Sequence, residues 1–198
     1  VGVLRDSPKT PMNQLHAETP CALFAACGMA NIKKVVHVSA LGVEGTLDTA
    51  YFRTKRQAEH CLFALPDSTR WLNLRPSLIY GHDGASASLF RLLARFPVQA
   101  LPMGGHQPVQ PVHIDDIADA VRIWLNNENA ASQSVSAAGA EATTLRGMLA
   151  SYREQMSLGK ALHIDIPRSF IKLVAKAGDR IPSSPLCSDT LAMLLADK

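Results

Sequence analysis

The run Lys34-Val35-Val36-His37-Val38-Ser39 constrains the fold of this chain more than any other stretch. Its valines follow one another without the strict polar alternation of a half-exposed strand. The run therefore reads as a strand buried on both faces, which in a water-soluble domain means a parallel sheet covered by helices. Parallel neighbours need crossover connections, and the flanking segments supply them. Residues 13–29 read as a helix with Leu15, Leu23, Phe24 and Cys27 on its apolar side, and Gly28 and Asn31 suit its C-terminal turn. After a polar loop at 42–48, residues 49–65 read as a second helix, and 71–76 as a short strand stopped by Pro76. Residues 1–5 read as an earlier buried strand. Strand, helix, strand, helix, strand in units of this length implies right-handed crossovers and a doubly wound α/β sheet.

Beyond Gly81 the pattern loosens. Residues 86–96 read as a helix, 98–102 as an extended segment, and Gly81-His82-Asp83-Gly84 and Gly104-Gly105 as turns. Asp115 is placed to cap a helix running through Trp124. The neighbouring Asp115 and Asp116 suit a helix N-terminus better than a shared carboxylate site, because adjacent residues do not share a helix face. Thr143-Thr144-Leu145-Arg146 opens a further helix. Residues 167–177 form another, with Phe170, Ile171, Leu173 and Val174 on its apolar side; its Lys and Arg residues mark a solvated amphipathic helix rather than a membrane-surface one.

Composition narrows the function classes. A chain of 198 residues with 47% hydrophobic and 19% charged residues can bury a substantial core. The net charge of +3 is small and its basic residues are scattered, which gives nucleic-acid binding no support. No apolar run reaches the roughly 18 residues of a membrane span. Cys21, Cys27, Cys61 and Cys187 show neither C-x-x-C pairing nor a zinc-ligand rhythm, so they are expected as buried free thiols in a reducing, cytoplasmic compartment. The seven histidines are dispersed; His113, between Val112 and Ile114, reads as a packed residue and no metal site is expected.

The chemistry lies in Ser39, Tyr51 and Lys55. Tyr51 and Lys55 are four residues apart in a helix-favouring stretch, so both project from one helical face. A nearby ammonium favours an ionised phenol and would move Tyr51 toward acid/base work near neutral pH. Ser39, at the end of the Val-rich strand, could hold a substrate oxygen beside that phenol.

Three further segments accompany this set: Val36-His37-Val38-Ser39-Ala40-Leu41-Gly42, Leu74-Arg75-Pro76-Ser77-Leu78-Ile79-Tyr80-Gly81, and Gln110-Pro111-Val112-His113-Ile114-Asp115-Asp116-Ile117-Ala118. In this order they resemble the short-chain dehydrogenase/reductase superfamily, in its extended or atypical epimerase/dehydratase-like branch. The Ser-Ala-Leu-Gly variant is similar to the group that contains bacterial nucleoside-diphosphate-sugar epimerase-like proteins and the NAD(P)H-binding accessory subunit of respiratory complex I.

The resemblance implies a partial Rossmann-like doubly wound parallel sheet over residues 1–81. It also implies a mixed region at 82–198 with a small substrate-binding lobe and a return helix near 111–127 that packs on the core. It implies NAD or NADP as cofactor, and a small carbonyl, alcohol or nucleotide-sugar substrate. Tyr51 would exchange the proton, Lys55 would bind the nicotinamide ribose and tune Tyr51, Ser39 would orient the substrate, Gly2 would allow close approach to the dinucleotide, and Pro76 and Leu78 would border the nicotinamide. Two departures stand out. The helical Asn of the family's proton relay is replaced near His16, and Ala40 stands where sugar epimerases and dehydratases often carry Ser or Thr.

No glycine-rich dinucleotide fingerprint occurs in the chain. The expectation is a C-terminal portion of a longer protein, inactive by itself and prone to self-association through an unprotected sheet edge. Three functions stay open: an NAD(P)-dependent oxidoreductase or epimerase-like enzyme, a non-catalytic NAD(P)H-binding assembly subunit, and a segment that binds no dinucleotide.

Overall fold

The computed structural model describes residues 2–7, 10–81, 84–181, 184 and 186–195. Val1, His82 and Asp83, which figured in the expected first strand and in a turn, lie outside the described residues. A π-helical turn, Gln14–Glu18, runs directly into helix α1, Thr19–Met29. Strand β1, Lys34–Val38, is followed by helix α2, Ala50–Phe63, and strand β2, Arg70–Pro76. Then come β3, Ile79–Tyr80, helix α3, Ala85–Arg95, β4, Val98–Pro102, β5, Pro108–Val109, and β6, Val112–His113. Helix α4, Ile114–Asn126, and β7, Gln133–Ala137, precede β8, Thr143–Thr144, helix α5, Leu145–Gln155, and β9, Leu162–Ile166. Helices α6, Arg168–Gly178, and α7, Ser188–Leu195, complete the described chain.

The chain divides into two compact units. The first comprises Val1–Pro76 and Asp116–Ala137. Its sheet has the order β1-β2-β7 and is parallel throughout, with Val38 opposite Leu74 and Leu74 opposite Val135. Val35, His37, Trp71, Asn73 and Arg75 share one face by alternation. That face meets α1 and α2: Phe24, Val35, Ala58 and Leu62 form a buried cluster, and Phe63 stacks on Trp71 at 4.7 Å. On the opposite face Leu72 and Leu74 are buried, but Val38 is 40% exposed, so this edge is less covered than the continuous valines implied. Lys34 on that face donates to the carbonyls of Leu125 and Asn127 at the C-terminus of α4, where the helix dipole favours a cation.

Four expectations are corrected in this unit and at the start of α4. Gly2–Arg5 is not a strand; Gly2 is exposed, and the Val3 N–H is taken by His16 Nε2 at 2.9 Å instead of by a strand neighbour. The third strand is β7, whose Gln-Ser-Val-Ser-Ala carries little apolar signal. Leu23 is 58% exposed, because the turn of α1 that faces the sheet is centred on Phe24. Asp115 lies within the first turn of α4 and does not cap it; its own N–H donates to His113 Nδ1.

The cysteine expectation also changes. Cys21 on α1 and Cys61 on α2 face one another with Cα atoms 5.3 Å apart and form a disulfide, while Cys27 and Cys187 are free. The spacing of 40 residues gave no sign of the pair, since it arises only when the two helices pack side by side.

The second unit comprises Ser77–Asp115 and Ala138–Lys198. Here β4 pairs in parallel with β9, β3 with β6, and β5 antiparallel with β8. Its core joins Ala94 of α3, Leu101 of β4 and Leu145, Met148 and Leu149 of α5. Thr144 caps α5 by accepting from the Gly147 N–H. Gly104 and Gly105 adopt φ values of 67° and 74°, and a Cβ on Gly105 would collide with Leu101 and Arg146. Helix α6 buries Ile171 and Ala175 against Leu191, whereas Phe170 and Leu173 are 55% and 64% exposed, so its apolar side is split between core and solvent.

Candidate active site

Helix α2 begins at Thr49, whose hydroxyl accepts from the Phe52 N–H, and this cap fixes the phase of the helix. Tyr51, Lys55 and Glu59 recur every four residues and face the sheet as one row. The loop ahead of the helix is tied to it, because Arg56 donates to the carbonyls of Val43 and Gly45.

Lys55 is buried, and its Nζ donates to the Val38 carbonyl at 3.0 Å. That contact brings the ammonium to the end of β1, one residue before Ser39, whose backbone N–H donates to the Leu74 carbonyl. Burial lowers the Lys55 pKa, and the Glu59 carboxylate opposes the shift. Ser39 is 4% exposed; its hydroxyl makes no well-formed hydrogen bond, although it lies near enough to Glu59 to favour the ionised carboxylate. A buried hydroxyl without a well-formed hydrogen bond is unusual in a packed interior and suits a group that meets a ligand.

Tyr51 departs from expectation. Its phenol is held above the ordinary pKa by burial, with no depression from Lys55, whose ammonium is turned to Val38. The Tyr51 ring lies edge-on to His16 with centroids 5.4 Å apart. His16 is 1% exposed; because Nε2 accepts from Val3, the neutral ring carries its proton on Nδ1 and donates to Thr54 Oγ1 at 3.3 Å. Burial, then the charge of Lys55, lowers the His16 pKa to about 4. His37 on β1 is likewise lowered to about 4, by burial first and Lys55 second.

Beneath these groups lies an ion network that spacing alone did not single out. Arg75 on β2 donates to Glu59 through Nε at 3.0 Å and Nη2 at 2.7 Å, and also pairs with Glu44. Burial raises the Glu59 pKa, but the bonds from Arg75 and the nearby Ser39 and Asn73 outweigh it, and the carboxyl ends below its ordinary value. Asn73 is fully buried, donates to Ser134 on β7, and leaves its carbonyl oxygen without a partner. The readable signal was present: Glu59 continues the Tyr51–Lys55 interval by four, and Arg75 is a charge in an otherwise buried strand.

Gly2 has open space around its α-carbon, with nothing close that its lack of a side chain would accommodate. Pro76 closes β2, is buried, and accepts from the Leu41 N–H. Leu78 belongs to the second unit, where it packs on the core of α3, β4 and α5. Among the described residues no cluster of three metal-ligating side chains occurs, and no helix is long and apolar enough to cross a membrane.

The fold has clear structural counterparts. UDP-glucuronic acid 4-epimerase from Bacillus cereus, solved with NAD, matches with a TM-score of 0.67 at 18% identity, over 96% of this chain and 67% of its own. MoeE5, solved with UDP-glucuronic acid and NAD, matches at 0.66 and 18% identity over 85% and 68%. The fold is the one these solved structures share, a Rossmann-like parallel sheet flanked by helices. ADP-L-glycero-D-manno-heptose-6-epimerase from Helicobacter pylori shares this fold at 0.64 and 17% identity, over 78% of this chain and 55% of its own. In sequence, the mitochondrial 40 kDa subunit of NADH-ubiquinone oxidoreductase from Neurospora crassa is 21% identical over 162 residues. That match covers 81% of this chain and 41% of the subunit, so the chain spans less than half the length of this relative. No protein-family profile matches the chain.

Proposed function

We propose that this chain carries the proton-transfer half of an NAD(P)-dependent oxidoreductase or nucleotide-sugar epimerase. One observation carries the reading. The buried Lys55 ammonium reaches the end of β1 beside the orphaned Ser39 hydroxyl, with Tyr51 one turn earlier on the same helix. Bound NAD(P) would supply the hydride acceptor and donor. Lys55 would hold its ribose, with Pro76, Leu78 and Gly2 bordering it; Ser39 would orient the substrate oxygen, and Tyr51 would pass the proton. The protonated phenol at Tyr51 makes it the general acid in the reducing direction. The first unit acts as the dinucleotide-binding half and the second as the substrate lobe. The 198 residues carry no glycine-rich fingerprint, and by themselves they should bind the dinucleotide weakly. Titration with NADH and NADPH, following nicotinamide fluorescence, tests the weak binding. Saturation well below millimolar by the isolated chain would overturn it.

A second reading has its own support. The Neurospora relative is a subunit of a larger assembly, and a phenol raised by burial is a poor base at neutral pH. In that reading the dinucleotide stabilises an assembly and Tyr51 is a packing residue. Tyr51→Phe in the full-length protein separates the two. An enzyme loses turnover by roughly 10²- to 10⁴-fold with unchanged dinucleotide affinity. An assembly subunit loses nothing.

A further inference from the structure

In the second unit, α5 and the start of β9 line a solvent-open pocket of about 640 Å³, whose polar lining is Arg146, Arg153, Glu154, Lys160 and His163 and whose apolar lining includes Ala150 and Leu158. The volume falls within the roughly 300–1,000 Å³ of small-ligand sites. Its walls are fixed by a buried arginine. Arg153 is 7% exposed and donates to the carbonyls of Ala94, Phe96 and Gly159 at 2.6, 2.9 and 2.7 Å. The first two bonds place its charge at the C-terminus of α3, where the helix dipole accepts it. The third pins the loop after α5, in which Ser157 has a φ of 56°. The backbone around the pocket is therefore fixed by Arg153.

The charges around it are unbalanced. Among the described residues, Arg146 and Lys160 form no ion pair, and Glu154 is the single acid among the lining side chains. Arg146 is set by α5, its Cβ against Gly105. His163 Nε2 is shielded from bulk water and has no hydrogen-bond partner. Burial lowers the His163 pKa, and the charges of Arg146 and Arg153 add to the shift. Two exposed cations without ion pairs, the buried Arg153 and the His163 ring thus line one pocket.

We propose that this pocket binds the phosphate group of a small organic phosphate, with Arg146 and Lys160 holding the anion and the His163 ring packed behind them. A dianion matches the two free cations, and a guanidinium offers it two parallel donors. Glu154, on the same wall, accepts from a hydroxyl on the body of the ligand. The site lies wholly in the second unit and is independent of the Ser39, Tyr51 and Lys55 set.

Isothermal titration of the chain with inorganic phosphate and with glucose 6-phosphate, using glucose as the neutral control, tests the assignment. Saturable binding of either phosphate, absent for glucose, is expected. Arg146→Ala and Lys160→Ala should each weaken it by at least about tenfold, the loss of one charge-assisted hydrogen bond. Both positions are exposed, so both variants should keep their thermal midpoints. The remote Lys172→Ala on α6 should leave binding unchanged, and the His163 imidazole resonances should move as ligand is added. No saturable binding, binding unaffected by both cavity variants, or equal weakening by Lys172→Ala would overturn the proposal.

Discussion

The Lys55 ammonium donates to the Val38 carbonyl across 3.0 Å, which fixes a charged group inside the protein at the residue preceding Ser39. Folding disfavours this charge, since burial lowers the Lys55 pKa. Lys55→Met should therefore cost less than about 1 kcal/mol of stability, because removing the buried charge offsets the carbonyl left without its donor. The same variant should raise the pKa of both His16 and His37, on which Lys55 acts as the second cause of depression. Both rings should stay below the ordinary value, because burial remains. Histidine titration by NMR checks the direction, and urea unfolding checks the stability.

Arg75 and Glu59 are coupled asymmetrically. Glu59 is 2% exposed, and its charge is balanced chiefly by Arg75, whereas Arg75 also has Glu44. Arg75→Leu removes both guanidinium bonds from a buried carboxylate and leaves it only the more distant Lys55 charge and the weak contacts of Ser39 and Asn73, so it should destabilise by about 3 kcal/mol. Glu59→Gln keeps a hydrogen-bond acceptor and leaves Arg75 its second acid, so it should cost clearly less. Equal losses in urea unfolding would contradict this ordering.

Acid should unfold the first unit through its histidines. Free imidazoles titrate near 6.5 and those of folded His16 and His37 near 4, so between these values the unfolded chain binds more protons. Stability from this source is complete above pH 6.5, falls as pH drops through the window, and is gone below about 4. The ceiling is about 3 kcal/mol per ring. Glu59, held below its ordinary pKa, adds its own loss at still lower pH. His37→Asn should flatten the dependence of the thermal midpoint between pH 7 and 4.

The Cys21–Cys61 disulfide closes a 40-residue separation that spans most of α1, all of β1 and nearly all of α2. By loop-closure entropy alone its reduction should cost about 4 kcal/mol. The check is a lowered thermal midpoint with reductant, lost in Cys61→Ser. A midpoint indifferent to reductant in the oxidised protein would count against a stabilising role for the bond.

Much of the first unit was legible in its residues, and the reasons are physical. β1, α2 and β2 are specified locally, by consecutive valines, a Thr49 cap and a terminating Pro76, so their bounds emerged almost unchanged. β7 was not legible, because a strand of Gln, Ser, Val, Ser and Ala becomes one only when β2 offers it an edge. The pairing of Cys21 with Cys61 and the bonding of Glu59 to Arg75 are likewise tertiary events between separate elements. Tyr51 shows the limit of spacing arguments. The four-residue interval set both side chains on one face, but the burial that governs the phenol and the turn of Lys55 toward Val38 depend on the packed neighbourhood.

The central claim, that Ser39, Tyr51 and Lys55 work together on an NAD(P)-dependent reaction, is tested most directly by nicotinamide absorbance in the full-length protein. Wild type, Ser39→Ala and Tyr51→Phe would be mixed with NAD or NADP and a panel of nucleotide sugars, and reduction of the nicotinamide recorded. With at least one substrate the account predicts measurable reduction by wild type or, where the hydride is returned to the sugar, an epimerised product resolved by chromatography. It also predicts a loss of roughly 10²- to 10⁴-fold in Tyr51→Phe at unchanged dinucleotide affinity, and a smaller loss in Ser39→Ala. Turnover at the wild-type rate in Tyr51→Phe, or dinucleotide binding with neither nicotinamide reduction nor sugar epimerisation for any member of the panel, would contradict it.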